Sequence, residues 1–269
     1  GVSVVVMRLP EPYVVTRETG QRFSAAAKAT NTVARETVIN TNLFDKYGAK
    51  KINPTHPANW QAQGQIMRGG SLVGGRSSPD TCYFAWTGFS KDQRREAETR
   101  GLAIAAIQQN PSSEWQFGKG DPPSENVAFG GGIPVIVGGL PFGTENKYAT
   151  DVPGGLPKKD EPQFCFAREG ALLQRSNEGF ADQEAREQGK VVMGIERDSN
   201  ILILIVQEHL AKGMRLSEIR DSLLHLGVDD ALSWDGSTSA TLISDSKVLV
   251  EPGLHKDYTI PFGVGFRLQ

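Results

Sequence analysis

Short runs of β-branched and apolar residues, broken by turns, dominate the chain and predict strands rather than long helices. Val2 to Met7 is such a run, closed by Pro10 and Pro12. Val38-Ile39 leads into the polar turn Asn40-Thr41-Asn42. Gln65-Ile66-Met67 and Ser71-Leu72-Val73 flank Gly69-Gly70 as a hairpin would. Cys82 to Phe89 reads as an aromatic strand, and Pro134 to Val137 as an apolar strand between glycines. Val191 to Ile195 and Ile201 to Val206 are two strands joined by the turn Arg197-Asp198-Ser199-Asn200. Ala231 to Trp234 is a strand that delivers Asp235 into Gly236-Ser237-Thr238-Ser239, and Gly263 to Leu268 closes the chain. Helical spacing is clearest at Leu216, Ile219, Leu223 and Leu226, with Ser217 placed as an N-cap and Gly227 as the stop. A second helix is expected over Lys91 to Asn110, ended by Pro111. The charged pieces Lys158 to Glu161 and Asp182 to Glu187 read as solvated surface, and Asp229-Asp230 as a solvated turn. This alternation predicts a mixed α/β (α+β) fold: a twisted, largely antiparallel sheet with helices packed on it, in one domain with insertions.

Composition narrows the function. Glycine (30) and proline (15) together make about a sixth of the 269 residues, which favours a site built from turns and loops. The net charge of −2 provides no basic field for nucleic acid. The most apolar run, Ile201 to Val206, is far short of the roughly 20 residues a membrane-spanning helix needs. Two cysteines, Cys82 and Cys165, are too few for a disulfide framework or a multi-thiolate zinc site; they read as buried thiols, with a single bridge between them as the alternative. The four histidines are scattered without ligand spacing, and His225 reads as structural. Gly130-Gly131-Gly132 lacks the spacing of a dinucleotide loop, and neither a Walker lysine nor a G-x-S-x-G elbow occurs. No cofactor and no metal is called for.

The remaining chemistry lies in Leu232-Ser233-Trp234-Asp235-Gly236-Ser237-Thr238-Ser239. A carboxylate at a strand end, followed by small residues, sets one charge beside a row of hydroxyl and backbone N–H donors that can approach a sugar or a phosphate oxygen. This block resembles the phosphodiester glycosidase domain family, whose hallmark is a strand ending in Asp-Gly-Gly-Gly-Ser. Ile39-Asn40-Thr41-Asn42-Leu43-Phe44-Asp45 resembles the family's Asn-Gly-Gly-Phe-Phe turn. Residues 128 to 139 resemble its glycine-then-strand block, and Lys190 to Ile195 its Arg-Thr-Ala-Ile-Gly-Ile. The resemblance covers about 36–75, 126–140 and 188–268, with 76–125 and 141–187 as insertions. Ser237 and Thr238 replace glycines, Thr41 and Asn42 replace two more, and Lys190 replaces arginine. Tyr258 stands where the family often has arginine.

What the resemblance implies is a hydrolase that cleaves the anomeric C–O bond of a glycosyl phosphodiester, or a related bond in a glycopolymer, through an oxocarbenium-like transition state. Asp235 is then the essential carboxylate, and sequence leaves open whether it is nucleophile, acid or charge stabiliser. Asn40, Lys190, Gly236, Ser237, Ser239, Gly131 and Gly132 are expected to contact substrate, with Asp45 and Glu196 as candidate second carboxylates. The partner is a carbohydrate or glycosyl phosphate; an extracellular or periplasmic location follows from the resemblance alone, and the oligomeric state is not legible. Two other readings stand beside this one. The first is a non-catalytic glycan-binding module on the same fold. The second is a metal-dependent phosphodiesterase, in which Asp229, Asp230 and Asp235 gather a hard cation.

Overall fold

A computed structural model describes residues 1–8, 10–18, 20–30, 36–41, 64–68, 71–76, 82–86, 105–108, 127–142 and 180–268. The architecture is the expected mixed α/β one, and every strand pairing among the described residues is antiparallel, but the strands divide into two sheets rather than one. The strands, in chain order, are β1 (Val2–Arg8), β2 (Glu11–Thr16), β3 (Glu36–Asn40), β4 (Gly64–Arg68), β5 (Ser71–Arg76), β6 (Cys82–Trp86), β7 (Ala105–Gln108), β8 (Val127–Val137), β9 (Leu140–Pro141), β10 (Lys190–Glu196), β11 (Ile201–Gln207), β12 (Asp230–Ser233), β13 (Leu242–Ser244), β14 (Lys247–Val250) and β15 (Phe262–Arg267). Helices among the described residues include α1 (Phe23–Thr30), α2 (Leu216–His225) and the single turn α3 (Leu254–Asp257).

The larger sheet has the order β1-β11-β10-β12-β8-β4-β5, with β6 and β9 also paired to β8 and β7 paired to β6. The smaller has the order β14-β13-β3-β15-β2. Their inner faces share one core. Val191, Met193, Leu204, Leu232 and Trp234 from the larger sheet pack with Ile39, Leu242, Val264 and Phe266 from the smaller. On the outer face of the larger sheet, α2 lays Leu216, Ile219 and Leu223 over Val192, Ile203, Ile205 and Ala231. On the outer face of the smaller sheet, α1 places Phe23 and Ala27 over Val15, Val38 and Ile243. The layers are therefore helix, sheet, sheet, helix. Because β10 and β11 are covered on both faces, they read as continuous apolar runs instead of alternating ones. A fully buried side chain of this size contributes about 1.5–3 kcal/mol, so the two central strands anchor the fold.

Several local expectations change. Ala105–Gln108, placed in a helix by sequence, is strand β7 paired with β6; four apolar or amide residues satisfy either period, and the pairing decides. The N-cap of α2 is Arg215, two residues before the expected Ser217. Ser217 lies inside the helix, and both its N–H and its hydroxyl donate to the Glu184 carboxylate, so an acidic residue from another segment holds the helix start. Gly227 stops the helix as expected, with φ +80°, while Leu226 is left exposed. Asp229-Asp230 is not a solvated turn: Asp230 is fully buried and accepts hydrogen bonds from Gly138 N–H (3.0 Å) and Arg197 Nε (2.9 Å). His225 is exposed at the end of α2. Among the described residues no helix is long and apolar enough to cross a membrane. Cys82 lies in β6; Cys165, Asp45, the rest of the expected 91–110 helix (91–104 and 109–110) and Lys158 to Glu161 fall outside the described residues.

Candidate active site

The segment from Asp235 to Thr241 is the crossover between the two sheets. It leaves the larger sheet at the end of β12, makes a 3-10 turn at Ser237–Ser239, and enters the smaller sheet at β13. Asp235 is therefore at a strand end where both sheets meet, and it is partly exposed.

Its backbone is held from two sides. From the smaller sheet, Asn40, the last residue of β3, donates from Nδ2 to the Asp235 carbonyl (2.7 Å) and accepts the Thr241 N–H at Oδ1 (2.9 Å). One fully buried amide thus closes both ends of the turn. From the other side, Gln183 donates from Nε2 to the Trp234 carbonyl (3.2 Å), while Ser233 Oγ donates to Gln183 Oε1 (2.5 Å). Both Asn40 and Gln183 act on the turn's backbone, and buried amides committed in this way fix geometry because leaving their partners unsatisfied is costly.

The turn also rests on the entry to β10. Ser237 N–H donates to the Gly189 carbonyl (2.7 Å). A Cβ on Gly236 would run into that same carbonyl, and a Cβ on Gly189 would run into the Ser237 carbonyl. The two glycines therefore permit a backbone-on-backbone contact that no side chain could share. Ser237 adopts φ +52°, a left-handed conformation that explains why a glycine suits this position. Ser239 is buried; its N–H donates to the Gly236 carbonyl (3.0 Å) and its carbonyl accepts the Thr241 hydroxyl (2.9 Å). Gly131 and Gly132 lie on β8 at the same end of the sheet, since Ile133 pairs with Ser233. A Cβ on Gly132 would press on Leu232 and Trp234 at 3.0–3.3 Å.

Not all the anticipated groups converge. Lys190 is fully buried, and its ammonium donates to the carbonyls of Ala185 (2.7 Å) and Gln188 (2.8 Å) instead of facing the turn. Burial pulls its pKa down to about 8, against the opposing pull of Glu184, Glu187 and Glu218. Glu196 sits at the far end of β10, six residues or about 20 Å along the strand. There it accepts Asp198 N–H (2.9 Å), Ser199 N–H (3.0 Å) and the Ser199 hydroxyl. Burial pushes its carboxyl up, and these bonds outweigh that and hold it below the usual range. Asp229 and Asp230 lie at the start of β12, with Asp235 beyond its end, and they are engaged by Arg197 and Gly138. The structure does not bring those three aspartates together, and among the described residues no group of three or more His, Cys, Asp or Glu side chains is placed to hold a metal ion.

The segment after β14 adds groups the sequence did not single out. Gly253 N–H donates to the Thr238 carbonyl (2.8 Å), tying the start of α3 to the turn. Asp257 is buried and accepts Ser24 N–H (2.7 Å) and Ser24 Oγ (2.5 Å), which joins α3 to α1. Arg22 donates from Nε to Tyr258 Oη (2.9 Å), with its guanidinium 5.2 Å from the ring centre. A guanidinium is thus present beside Tyr258 although the arginine of the motif is not. Arg22, Asp257, Glu208, Glu251, Pro252 and Leu254 line an open cavity of about 370 Å³. A guanidinium donates hydrogen bonds to sugar hydroxyls and phosphate oxygens, and a carboxylate accepts them from sugar hydroxyls.

The strand-end carboxylate expected from the phosphodiester glycosidase resemblance is Asp235, which the fold sets on a crossover between two sheets and braces with an asparagine that the sequence had placed against substrate. That resemblance holds. Residues 144–267, just under half of the chain, match the family model for phosphodiester glycosidase. Among solved structures, the chain is similar to the catalytic domain of zebrafish N-acetylglucosamine-1-phosphodiester alpha-N-acetylglucosaminidase auto-inhibited by its pro-peptide. The identity is 14%, the TM-score is 0.58, and the alignment covers all of this chain and 84% of the zebrafish one. It is also similar to a Burkholderia pseudomallei protein described as exported, at 11% identity and a TM-score of 0.52, covering 99% of this chain and 74% of that one. At such identities the likeness speaks for the fold. No curated protein sequence matches the chain.

Proposed function

We propose that this protein is a glycoside hydrolase acting on a glycosyl phosphodiester, or on a related sugar bond in a glycopolymer, with Asp235 as its essential carboxylate. The observation that carries this reading is the bracing of Asp235. Its peptide is fixed by Asn40 from one sheet, and the carbonyl before it is fixed by Gln183 from the other side, while the residue itself stays partly exposed. Catalytic groups need such fixed placement, because a carboxylate that must meet developing positive charge is effective only if held where that charge forms.

Cleavage of the anomeric bond needs an electrostatic or nucleophilic partner on one side and a proton donor for the leaving oxygen on the other. A phosphate leaving group lessens the second demand, since it departs as a stable anion. That matches a turn whose seven residues from 235 to 241 hold a single carboxylate. Gly236, Ser237 and Ser239 shape this turn, and Gly132, next to Gly131 on β8, lets that strand lie close against Leu232 and Trp234. Asn40 and Lys190 serve here by holding backbone rather than by touching substrate. Arg22, beside Tyr258, is the one cation among the described residues that line the cavity at α3, where Glu208, Glu251 and Asp257 are the other charged groups.

The test is release of the aglycone from a panel of glycosyl-1-phosphodiesters set beside matched plain glycosides. Turnover concentrated on the phosphodiesters is expected. Saturable binding across the panel with no turnover would assign the glycan-binding module instead.

A further inference from the structure

We infer that Gln183 is a positioning residue for Asp235: it transmits the fixed geometry of the 180–190 segment to the catalytic turn through the Trp234 carbonyl. This rests on the assignment of Asp235 above. The segment containing Gln183 has the composition of a solvated loop, and Ala181, Asp182, Ala185, Arg186 and Glu187 are exposed. Gln183 itself is only 5% exposed, and both ends of its amide are used on the last two residues before Asp235.

What makes this contact more than a filler is the rigidity behind it. Two buried side chains collect the segment's carbonyls. Lys190 Nζ holds those of Ala185 and Gln188, and Gln207 Nε2 holds those of Arg186 and Gln188 (2.8 Å to the latter). Gln207 is in turn fixed by accepting the Met214 N–H at Oε1 (2.8 Å). Glu184, the next residue, is locked onto the start of α2 through Ser217. The segment then ends at Gly189, which receives the Ser237 N–H and abuts Gly236. The crossover is thereby gripped by the same segment on both sides of Asp235: at Trp234 by Gln183, and at Ser237 by Gly189. Asn40 supplies the third hold, at Asp235 itself, from the opposite sheet. Of these, the Gln183 contact is the one made by a side chain that can be altered without touching the glycine packing or the smaller sheet.

Two variants separate positioning from mere structure. Gln183→Met keeps the volume and removes both bonds. Gln183→Glu keeps the acceptor for Ser233 Oγ and replaces the donor that reaches the Trp234 carbonyl, and it remains available if Gln183→Met fails to fold. Each is measured in two ways in the full chain: steady-state kinetics on the best phosphodiester of the panel, and amide hydrogen exchange without ligand. The expected result is a fall in kcat of roughly tenfold or more, with KM within about twofold. It is accompanied by faster exchange at the Trp234 and Ser237 amides and unchanged exchange at Leu204 in β11. Wild-type kcat, or exchange that rises uniformly through β11 and the turn alike, would overturn the inference. If the wild-type protein turns over no member of the panel, the glycosidase reading fails by itself. The local exchange pattern then still decides whether Gln183 holds the turn.

Discussion

Ser237 shows how one residue records both the demands of the site and its departure from the motif. The family's glycine at this position is explained by φ +52°, where a Cβ crowds the backbone at a cost of about 1–2 kcal/mol. Glycine avoids that cost but loses about 0.5–1 kcal/mol of chain entropy on folding. Ser237→Gly is therefore expected to raise stability by up to about 1 kcal/mol, a shift of roughly 2–4 °C in the melting temperature. A thermal melt checks it. A clear fall in the midpoint would mean that the Ser237 hydroxyl contributes more than its backbone strain removes. Asn40 makes the complementary point. Its residue type suits sugar hydroxyls, and a sequence reading places it against substrate; in the fold its two polar atoms are both occupied by the Asp235 carbonyl and the Thr241 N–H. Residue chemistry drew notice to Asn40, but which group its amide serves depends on a neighbour 195 residues away in the chain.

At the scale of elements, the strands with continuous apolar runs and the hairpins were legible, because their signals are local. Val2 to Met7, the 64–75 hairpin, the β10–β11 pair and the Asp235 strand all fall where the pattern places them. The 180–190 segment was not legible, since its order comes from side chains of other elements and not from its own periodicity. Lys190 is the clearest instance: it begins β10 as expected, yet its ammonium caps carbonyls of the preceding loop. This has a consequence for pH. Its pKa is about 8 when folded against an ordinary value of 10.5, so the unfolded chain binds the proton more tightly. Between those two values folding releases a proton, and the group's contribution to stability rises as pH rises through that window. The melting temperature of the wild type, taken relative to Lys190→Met, is expected to increase from pH 7 to pH 10. A difference that stays flat or falls would show that the buried ammonium is not penalised by its surroundings.

At the scale of the whole molecule, the fold class was readable and the division into two sheets was not. Alternating and continuous strands predict an antiparallel sheet with helices, and nothing local in β3 announces that it will pair with β13 and β15, some 200 residues on. That long-range pairing creates the site. Because β12 belongs to one sheet and β13 to the other, the chain between them must cross, and the crossing carries Asp235 to the place where the sheets meet. The four layers bury Trp234, Leu242 and Val264 around this point, so the turn stands on a packed core. The same architecture separates Asp235 from Glu196 and from Asp229-Asp230, which lie toward the opposite end of the larger sheet. The central claim, that Asp235 is the carboxylate on which turnover depends, is tested most directly by the kcat of Asp235→Asn on the best phosphodiester substrate, with circular dichroism and a thermal melt to confirm the fold. A loss of about 10²–10⁴-fold or more in a folded variant is predicted, and a folded Asp235→Asn protein that turns over at the wild-type rate would contradict it.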